Sequence, residues 1–119
     1  MGAHRVLIVE DNRDAALTTA LLIRQLGHEA EAAADAQNAL IAARKLRPDF
    51  ALIDIGLPGG MDGLELAGRL KAEHPDARLI ALTGAALAED RRKTFEAGFE
   101  MHLVKPLDPK YLESLLGSV

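Results

Sequence analysis

Five residues whose side chains can ligate a metal or take part in a reaction stand at the ends of short hydrophobic or mixed stretches. They are Glu10, Asp11, Asp54, Thr83 and Lys105. Short apolar runs closed by polar or turn residues are typical of buried parallel strands. Because the carboxyl ends of parallel strands share one rim of a sheet, we expect these five side chains to meet there.

Three carboxylates on one rim repel each other, each pair by about 3 kcal/mol at ~5 Å and an effective dielectric constant of ~20. A hard divalent cation such as Mg²⁺, or Mn²⁺ in its place, prefers carboxylate, water and phosphate oxygens and would relieve this repulsion. Lys105 offers a mobile positive charge for a phosphate, and Thr83 offers a hydroxyl donor. These are the parts of a phosphoryl-transfer site in which Asp54 is the acceptor.

Each of these residues also has an ordinary interpretation when taken alone. An acidic pair after a strand is often a helix cap, a threonine there is often simply β-branched, and a lysine before proline is often a solvated turn. Asp54 is not a local cap, because three glycines and a proline fall within the next six residues and do not open a helix. Reactive residues at four separate strand ends favour a functional site.

Composition narrows the class of protein. The chain has 119 residues, which fits one domain spanning residues 1–119, and 49% of them are hydrophobic with few aromatics, so the core must be aliphatic. The net charge of −4 without a basic block argues against direct nucleic-acid binding. There is no cysteine, and the four histidines lack metal-ligand spacing, so we expect them to be surface or strand residues. No apolar run approaches membrane-spanning length, which predicts no membrane contact and a cytoplasmic protein.

Hydrophobic periodicity predicts five strand–helix units. The strands are expected near residues 6–9, 28–32, 50–54, 79–82 and 101–104, and the helices near 14–26, 36–46, 63–73, 89–97 and 109–116. Alternating units of this kind favour an α/β domain with a parallel sheet covered by helices on both faces. The first, third and fourth strands are wholly apolar and must be central, whereas the second and fifth carry polar residues. The predicted strand order is therefore 2-1-3-4-5.

The sequence resembles the receiver domains of bacterial two-component response regulators, the family that includes chemotaxis regulators, over residues 5–116. The resemblance rests on Val9-Glu10-Asp11-Asn12, Asp54 with Pro58, Thr83-Gly84-Ala85, Glu96-Ala97-Gly98-Phe99 and Val104-Lys105-Pro106. It implies a flavodoxin-like doubly wound (βα)5 fold. It also implies a signalling domain that is not an enzyme apart from its own phosphorylation and dephosphorylation.

The resemblance further implies that Asp54 accepts a phosphoryl group from the phosphohistidine of a histidine kinase or phosphotransfer domain. Mg²⁺ would then be bound by Asp11, Asp54 and the backbone carbonyl of Gly56, with Glu10 acting mainly through water. Thr83 and Lys105 would hold phosphoryl oxygens. Phosphorylation would switch a face that binds a downstream protein partner or an attached output domain.

Two departures from the family pattern stand out. Gly59-Gly60 precede Met61-Asp62-Gly63, which looks like a one-residue insertion, and we expect an unusually mobile loop. The position three residues before the lysine is commonly Tyr or Phe, but here it is His102. The usual aromatic readout of the site is therefore in question.

Two other functions are weighed against a receiver. A haloacid-dehalogenase-type phosphatase also uses an aspartate nucleophile, but it carries a second aspartate two residues later, where this chain has Gly56. A dinucleotide-binding domain needs a glycine fingerprint after its first strand, where Glu10 and Asp11 would repel a pyrophosphate.

Three finer expectations follow. Lys105 must reach across the site, so we predict a cis bond between Lys105 and Pro106. On activation Thr83 should shift toward the phosphoryl group and His102 should occupy the space it leaves, unless His102 is an exposed residue without a role. Gly56 and Ala85 flank the path of an attacking water and are too small to block it, which predicts rapid loss of the phosphoryl group.

Overall fold

The computed structural model describes residues 2–57, 60–84 and 91–117, apart from the side chain of Arg91. Five strands alternate with five helices in these segments. The strands are β1 (Arg5–Val9), β2 (Glu29–Ala33), β3 (Phe50–Asp54), β4 (Arg78–Thr83) and β5 (Phe99–Val104). The helices are α1 (Arg13–Gln25), α2 (Ala36–Leu46), α3 (Gly63–Glu73), α4 (Arg91–Ala97) and α5 (Pro109–Leu116).

The strands form one parallel sheet in the order β2-β1-β3-β4-β5, which confirms the predicted order and fold class. The apolar residues of the three central strands are almost completely buried. Helices cover both faces of a parallel sheet, so a central strand cannot expose either side. This is why the wholly apolar runs had to lie inside.

Two hydrophobic layers hold the helices on the sheet. Leu66, Ala67 and Leu70 of α3 pack with α2 on one face, together with Leu79 and Ala81 of β4. On the other face, α1 and α5 pack against the remaining side chains of the same strands. The contacts are mostly aliphatic, as the composition predicted, and Phe50 and Phe99 are the aromatic residues of these two layers.

Four helices begin at a side chain that caps them. Asn12, Asp35, Asp62 and Asp108 each accept a hydrogen bond from a backbone N–H two or three residues further along. Such a cap contributes about 1 kcal/mol. The caps of α1 and α3 also fix where the chain leaves the rim that carries the acidic residues.

Several element boundaries differ from the sequence prediction by one or two residues; those of β1, α1 and β4 differ by one residue at one or both ends. Strand β2 lies one residue later than expected, because Ala30 and Ala33 are buried on opposite faces of the sheet. Strand β5 begins at Phe99, two residues early, because Phe99 is a core residue. Helix α4 is described from Arg91, and the predicted start near residue 89 lies outside the described residues.

His28 is a correction to the expectation of surface or strand histidines. It precedes β2 and is only 5% exposed. Its Nδ1 accepts a hydrogen bond from the His4 N–H at 2.9 Å, and its Nε2 donates to the Gly117 carbonyl at 2.6 Å. The imidazole therefore joins the beginning of β1 to the end of α5 as an internal residue.

Candidate functional site

The strands bring four of the predicted site residues to one rim of the sheet. Glu10 directly follows β1, Asp54 ends β3, Thr83 ends β4 and Lys105 directly follows β5. The ladder continues past β5, because the Lys105 N–H donates to the Thr83 carbonyl at 2.8 Å. The backbone thus fixes the starting point of each of these side chains.

The carboxylates of Glu10, Asp11 and Asp54 form a cluster. Each offers an oxygen, and these atoms all lie within 4.8 Å of one another. Glu10 is buried, Asp54 is partly buried and Asp11 is exposed. Three oxygen donors open to solvent on one side are a donor set that suits a hard divalent cation, which keeps part of its water shell.

Lys105 supplies the positive charge of the site. Its Nζ lies 2.6 Å from Oε1 of Glu10 and 2.7 Å from Oδ2 of Asp54. Burial by itself would lower the pKa of Lys105, but the hydrogen bonds to the two carboxylates outweigh it and raise the pKa. The ammonium therefore stays charged and joins two strands that are not neighbours of β5.

The pKa values of the two carboxylates that bind Lys105 are shifted in opposite directions. Burial raises the pKa of Glu10 above its ordinary value, although Lys105 and the Asn12 N–H both stabilise the anion. For Asp54 burial acts in the same sense, but the hydrogen bonds from Lys105 and the Gly56 N–H prevail and lower the pKa. Asp54 is thus held as the carboxylate, the form that can act as a nucleophile.

Thr83 is 1% exposed, and its hydroxyl has no hydrogen-bond partner among the described residues. Buried hydroxyls are almost always paired, so such a group calls for a physical explanation. Thr83 follows Leu82, which lies beside Asp54 at the end of β3 in the sheet. A hydroxyl in this place can donate to a group attached to Asp54.

The loop after Asp54 begins with Gly56, whose N–H donates to Oδ1 of Asp54 at 2.8 Å. A Cβ atom at Gly56 would lie 3.4 Å from that oxygen, so a larger side chain would begin beside the carboxylate. Pro58, Gly59 and Ala85 lie outside the described residues. The expected mobility of the Gly59-Gly60 loop stays a prediction. So does the expectation that the small side chain of Ala85 leaves the path of an attacking water open.

The bond between Lys105 and Pro106 is cis, as predicted. His102 is partly buried, and its Nε2 shares a hydrogen bond with the hydroxyl of Thr94 in α4. It is therefore not the exposed residue of the alternative interpretation. Whether it moves on activation stays a prediction.

Gly63 is a residue of the site region that the sequence analysis did not single out. A Cβ atom there would lie 2.6 Å from both the Asp54 carbonyl oxygen and the Ile55 Cα. Only glycine lets the first turn of α3 approach the end of β3 this closely. The available signal was a glycine directly after the capping Asp62, where helices more often carry proline or an acidic residue.

The sequence matches the family described as the response regulator receiver domain over residues 6–116. This chain belongs to that family. Receiver domains are signalling domains of two-component systems that act with histidine kinases, and they bind Mg²⁺ at an acidic cluster. The cluster of Glu10, Asp11 and Asp54 has this character.

Two regulatory proteins that are similar in sequence to this chain support its place in the family. The receiver is 38% identical over 103 residues to the gliding motility regulatory protein of Myxococcus xanthus, covering 85% of this chain and 13% of that protein. It is 34% identical over 101 residues to the probable transcriptional regulatory protein TcrX of Mycobacterium tuberculosis, covering 85% of this chain and 43% of that protein. The receiver thus spans less than half the length of either relative.

Solved structures show the same fold. A CheY-like response regulator receiver domain from Methanospirillum hungatei has a TM-score of 0.87 at 31% identity, over 96% of this chain and 90% of that one. The chemotaxis protein CheY4 of Vibrio cholerae has a TM-score of 0.88 at 26% identity, over 99% of this chain and 100% of that one. Receiver membership gives no support to the phosphatase alternative. None of the helices in the described segments is both long and apolar enough to cross a membrane.

Proposed function

We propose that this receiver accepts a phosphoryl group on Asp54 from the phosphohistidine of a histidine kinase or phosphotransfer domain, in a Mg²⁺-dependent reaction. The observation that carries the proposal is the buried hydroxyl of Thr83, which has no hydrogen-bond partner among the described residues and lies at the rim where Lys105 binds Asp54. A phosphoryl group on Asp54 would give that hydroxyl an oxygen to which it can donate.

In the proposed reaction a carboxylate oxygen of Asp54 forms a bond to phosphorus while the phosphorus–nitrogen bond of the phosphohistidine breaks. The bonding pair leaves with the imidazole, which takes up a proton, and the product is an acyl phosphate. Lys105 and Thr83 bind phosphoryl oxygens, where charge accumulates during the transfer. The low pKa of Asp54 keeps the nucleophile ionised at neutral pH.

The residues that would hold Mg²⁺ are Asp11, Asp54 and the Gly56 carbonyl, with Glu10 acting through water. When bound, the ion neutralises the carboxylates and the phosphoryl oxygens. The donor set fits the ion because its carboxylates lie within 4.8 Å of one another and Asp11 is open to solvent. Two or three protein oxygens are typical for Mg²⁺, which dehydrates reluctantly.

The donor protein has a surface to dock against next to the site. Leu17 and Leu21 of α1 lie one turn apart and are 56% and 49% exposed. A mostly apolar cavity of about 470 Å³ extends from Glu10 and Lys105 toward Leu22 of the same helix and Leu107. An apolar helix face that carries the phosphohistidine could cover these leucines while its imidazole reaches Asp54.

The output is proposed to pass through a protein partner or an attached output domain, with no direct contact of the receiver with nucleic acid. Phe95, Met101, Val104 and Tyr111 expose large apolar side chains on α4, β5 and α5. A group of exposed apolar residues on neighbouring elements is typical of a protein interface. The net charge of −4 disfavours a nucleic-acid surface.

The proposal is tested by incubating the receiver with acetyl phosphate and Mg²⁺ and measuring the mass of the intact protein. We expect the wild type to gain one phosphoryl group, and to lose this gain when EDTA is present or when Asp54 is changed to Asn. Asp35→Asn is the matched control, because asparagine also caps a helix and α2 should be unaffected. A phosphoryl group on Asp54→Asn, or none on the wild type, contradicts the proposal.

A further inference from the structure

Helix α4 is joined to β5 by a hydrogen bond between two side chains, those of Thr94 and His102. Thr94 is 1% exposed and is the only buried polar residue that the structure describes in α4. His102 is partly buried. Buried side chain to side chain bonds form a small share of all protein hydrogen bonds, and they fix relative positions more specifically than apolar contacts do.

A β-bulge places His102 beneath α4. In the register of β4 and β5, Leu79 lies beside Phe99 and Ile80 beside Met101, so Glu100 is an extra residue of β5. Past the bulge, His102 lies beside Ala81. Because neighbouring residues in register share a face, His102 projects on the side of Ala81, which is the α2–α3–α4 side.

Thr83 projects on this same face, since it lies two residues after Ala81 in β4. Its carbonyl accepts a hydrogen bond from the N–H of Lys105, which lies three residues after His102. The site and the Thr94–His102 bond are thus connected through the end of β5. If Thr83 moved toward a phosphoryl group on Asp54, the hydrogen bond from Lys105 to Thr83 would pull on the strand that carries His102.

Helix α4 has few other attachments. Its described part, Arg91–Ala97, has seven residues, few enough that packing against the sheet must hold them in place. Phe95 is 74% exposed, and Arg92, Lys93 and Glu96 are also exposed. The position of α4 on the sheet therefore depends strongly on Thr94 and on the partly buried Ala97.

We propose that the Thr94–His102 hydrogen bond transmits the phosphorylation state of the site to α4. This inference rests on the proposed phosphorylation of Asp54 and assigns part of its regulation. His102 is then a positioning residue: it touches no reacting atom, but it links the strand that ends at Lys105 to the helix that exposes Phe95. The imidazole makes this link by a hydrogen bond that a phenylalanine ring could not form.

The test compares amide chemical shifts before and after phosphorylation with acetyl phosphate and Mg²⁺. The variants are Thr94→Val, which keeps the shape and removes the hydroxyl, and His102→Phe, which keeps a ring and removes the nitrogen. Thr94→Ser, which keeps the hydroxyl, is the matched control. The mass of each sample reports how much of it carries the phosphoryl group.

We expect the shift changes at residues 92–97 to fall by about threefold or more in Thr94→Val and in His102→Phe, the size expected when a coupling of this class is lost. The changes at Gly56 and Gly84, next to the site, and the phosphoryl content should match the wild type. The double variant should lose no more than either single variant, because both remove the same bond. Thr94→Ser should keep the full response of α4.

Shift changes at residues 92–97 that equal those of the wild type in both variants, with normal phosphoryl content, would overturn this inference and leave the proposed function intact. A wild-type protein that gains no phosphoryl mass would overturn both. The mass measurement therefore separates the two failures.

Discussion

At the scale of one residue, the buried carboxylate of Glu10 affects the stability of the fold. It is 4% exposed, and burial raises its pKa above the ordinary value of 4.5. A group whose pKa is higher in the folded than in the unfolded state contributes most to stability below its unfolded pKa. That contribution is lost as the pH rises through the folded value. At neutral pH the Glu10 carboxylate therefore lowers the free energy of unfolding.

Glu10→Gln should for this reason stabilise the metal-free protein. The amide oxygen can still accept the hydrogen bond from Lys105, and the amide carries no buried charge. Its NH2 group takes the place of the oxygen that accepts from the Asn12 N–H, so that one hydrogen bond is lost. We expect a gain of about 1 kcal/mol at pH 8 that shrinks toward pH 4.5, measured by urea unfolding in EDTA. A gain that is equal at both pH values would show that the charge of Glu10 is not its cause.

At the same scale, we expect the size of residue 56 to control the access of water to the proposed acyl phosphate. A side chain there would begin 3.4 Å from Oδ1 of Asp54 and would stand in the path of water. We expect Gly56→Met to slow the loss of the phosphoryl group about tenfold, or 1.4 kcal/mol of barrier. Adding Ala85→Tyr should slow it further.

The measurement is the decay of purified phosphorylated protein in Mg²⁺ buffer, with Gly68→Met as the control. Gly68 is exposed on α3, and a Cβ atom there meets nothing within 4 Å. Decay that is as fast in Gly56→Met as in this control would reject steric access as the explanation.

At the scale of elements, the approach of α3 to β3 is set by Gly63. A methyl group at this position would lie 2.6 Å from backbone atoms of Asp54 and Ile55, and backbone cannot swing aside as a flexible side chain can. The start of α3 or the end of β3 must therefore move. A shift of the end of β3 would displace the carboxylate of Asp54, and a shift of α3 would change the helix packing beside it.

Gly63→Ala should lower the free energy of unfolding by about 1 to 3 kcal/mol, as overpacking does, and should also slow phosphorylation by acetyl phosphate. Gly68→Ala in the same helix is the control and should instead raise stability by about 1 kcal/mol. Thermal unfolding and intact mass measure the two effects. Equal behaviour of the two variants would show that the close approach of α3 has no consequence.

At the scale of the whole molecule, the acidic cluster should make folding depend on Mg²⁺. A ligand that binds only the folded chain stabilises it by mass action, by about 1.4 kcal/mol at ten times the dissociation constant. For a domain of this size that corresponds to a rise of about 5 to 6 °C in the melting temperature. The physical cause is relief of the repulsion among Glu10, Asp11 and Asp54.

The check is a series of thermal unfolding scans at increasing Mg²⁺ concentration, with the total ionic strength held constant by adjusting NaCl. Asp11→Asn should reduce the Mg²⁺ response, whereas Asp35→Asn, away from the cluster, should not. A melting temperature that Mg²⁺ leaves unchanged in the wild type would count against the metal site.

The sequence by itself determined the strand order, the rim and the residues that stand on it. Runs such as residues 50–53 are apolar on both faces and can only be central. Each reactive residue stands at the end of a predicted strand by chain position alone. Helix starts such as Asp35 and Asp62 were also readable, because capping is a local interaction between a side chain and the next turn. The cis bond between Lys105 and Pro106 was also predictable from the sequence, because cis peptide bonds occur almost only before proline.

Only the tertiary structure decided the contacts between residues far apart in the chain. The bulge at Glu100, the internal place of His28 and the close approach at Gly63 all depend on how neighbouring elements pack. The Thr94–His102 bond depends on that bulge, since a shift of one residue would turn His102 to the other face of the sheet. Such features leave no periodic signal in the sequence, because each is fixed by a single pairing rather than by a repeated pattern.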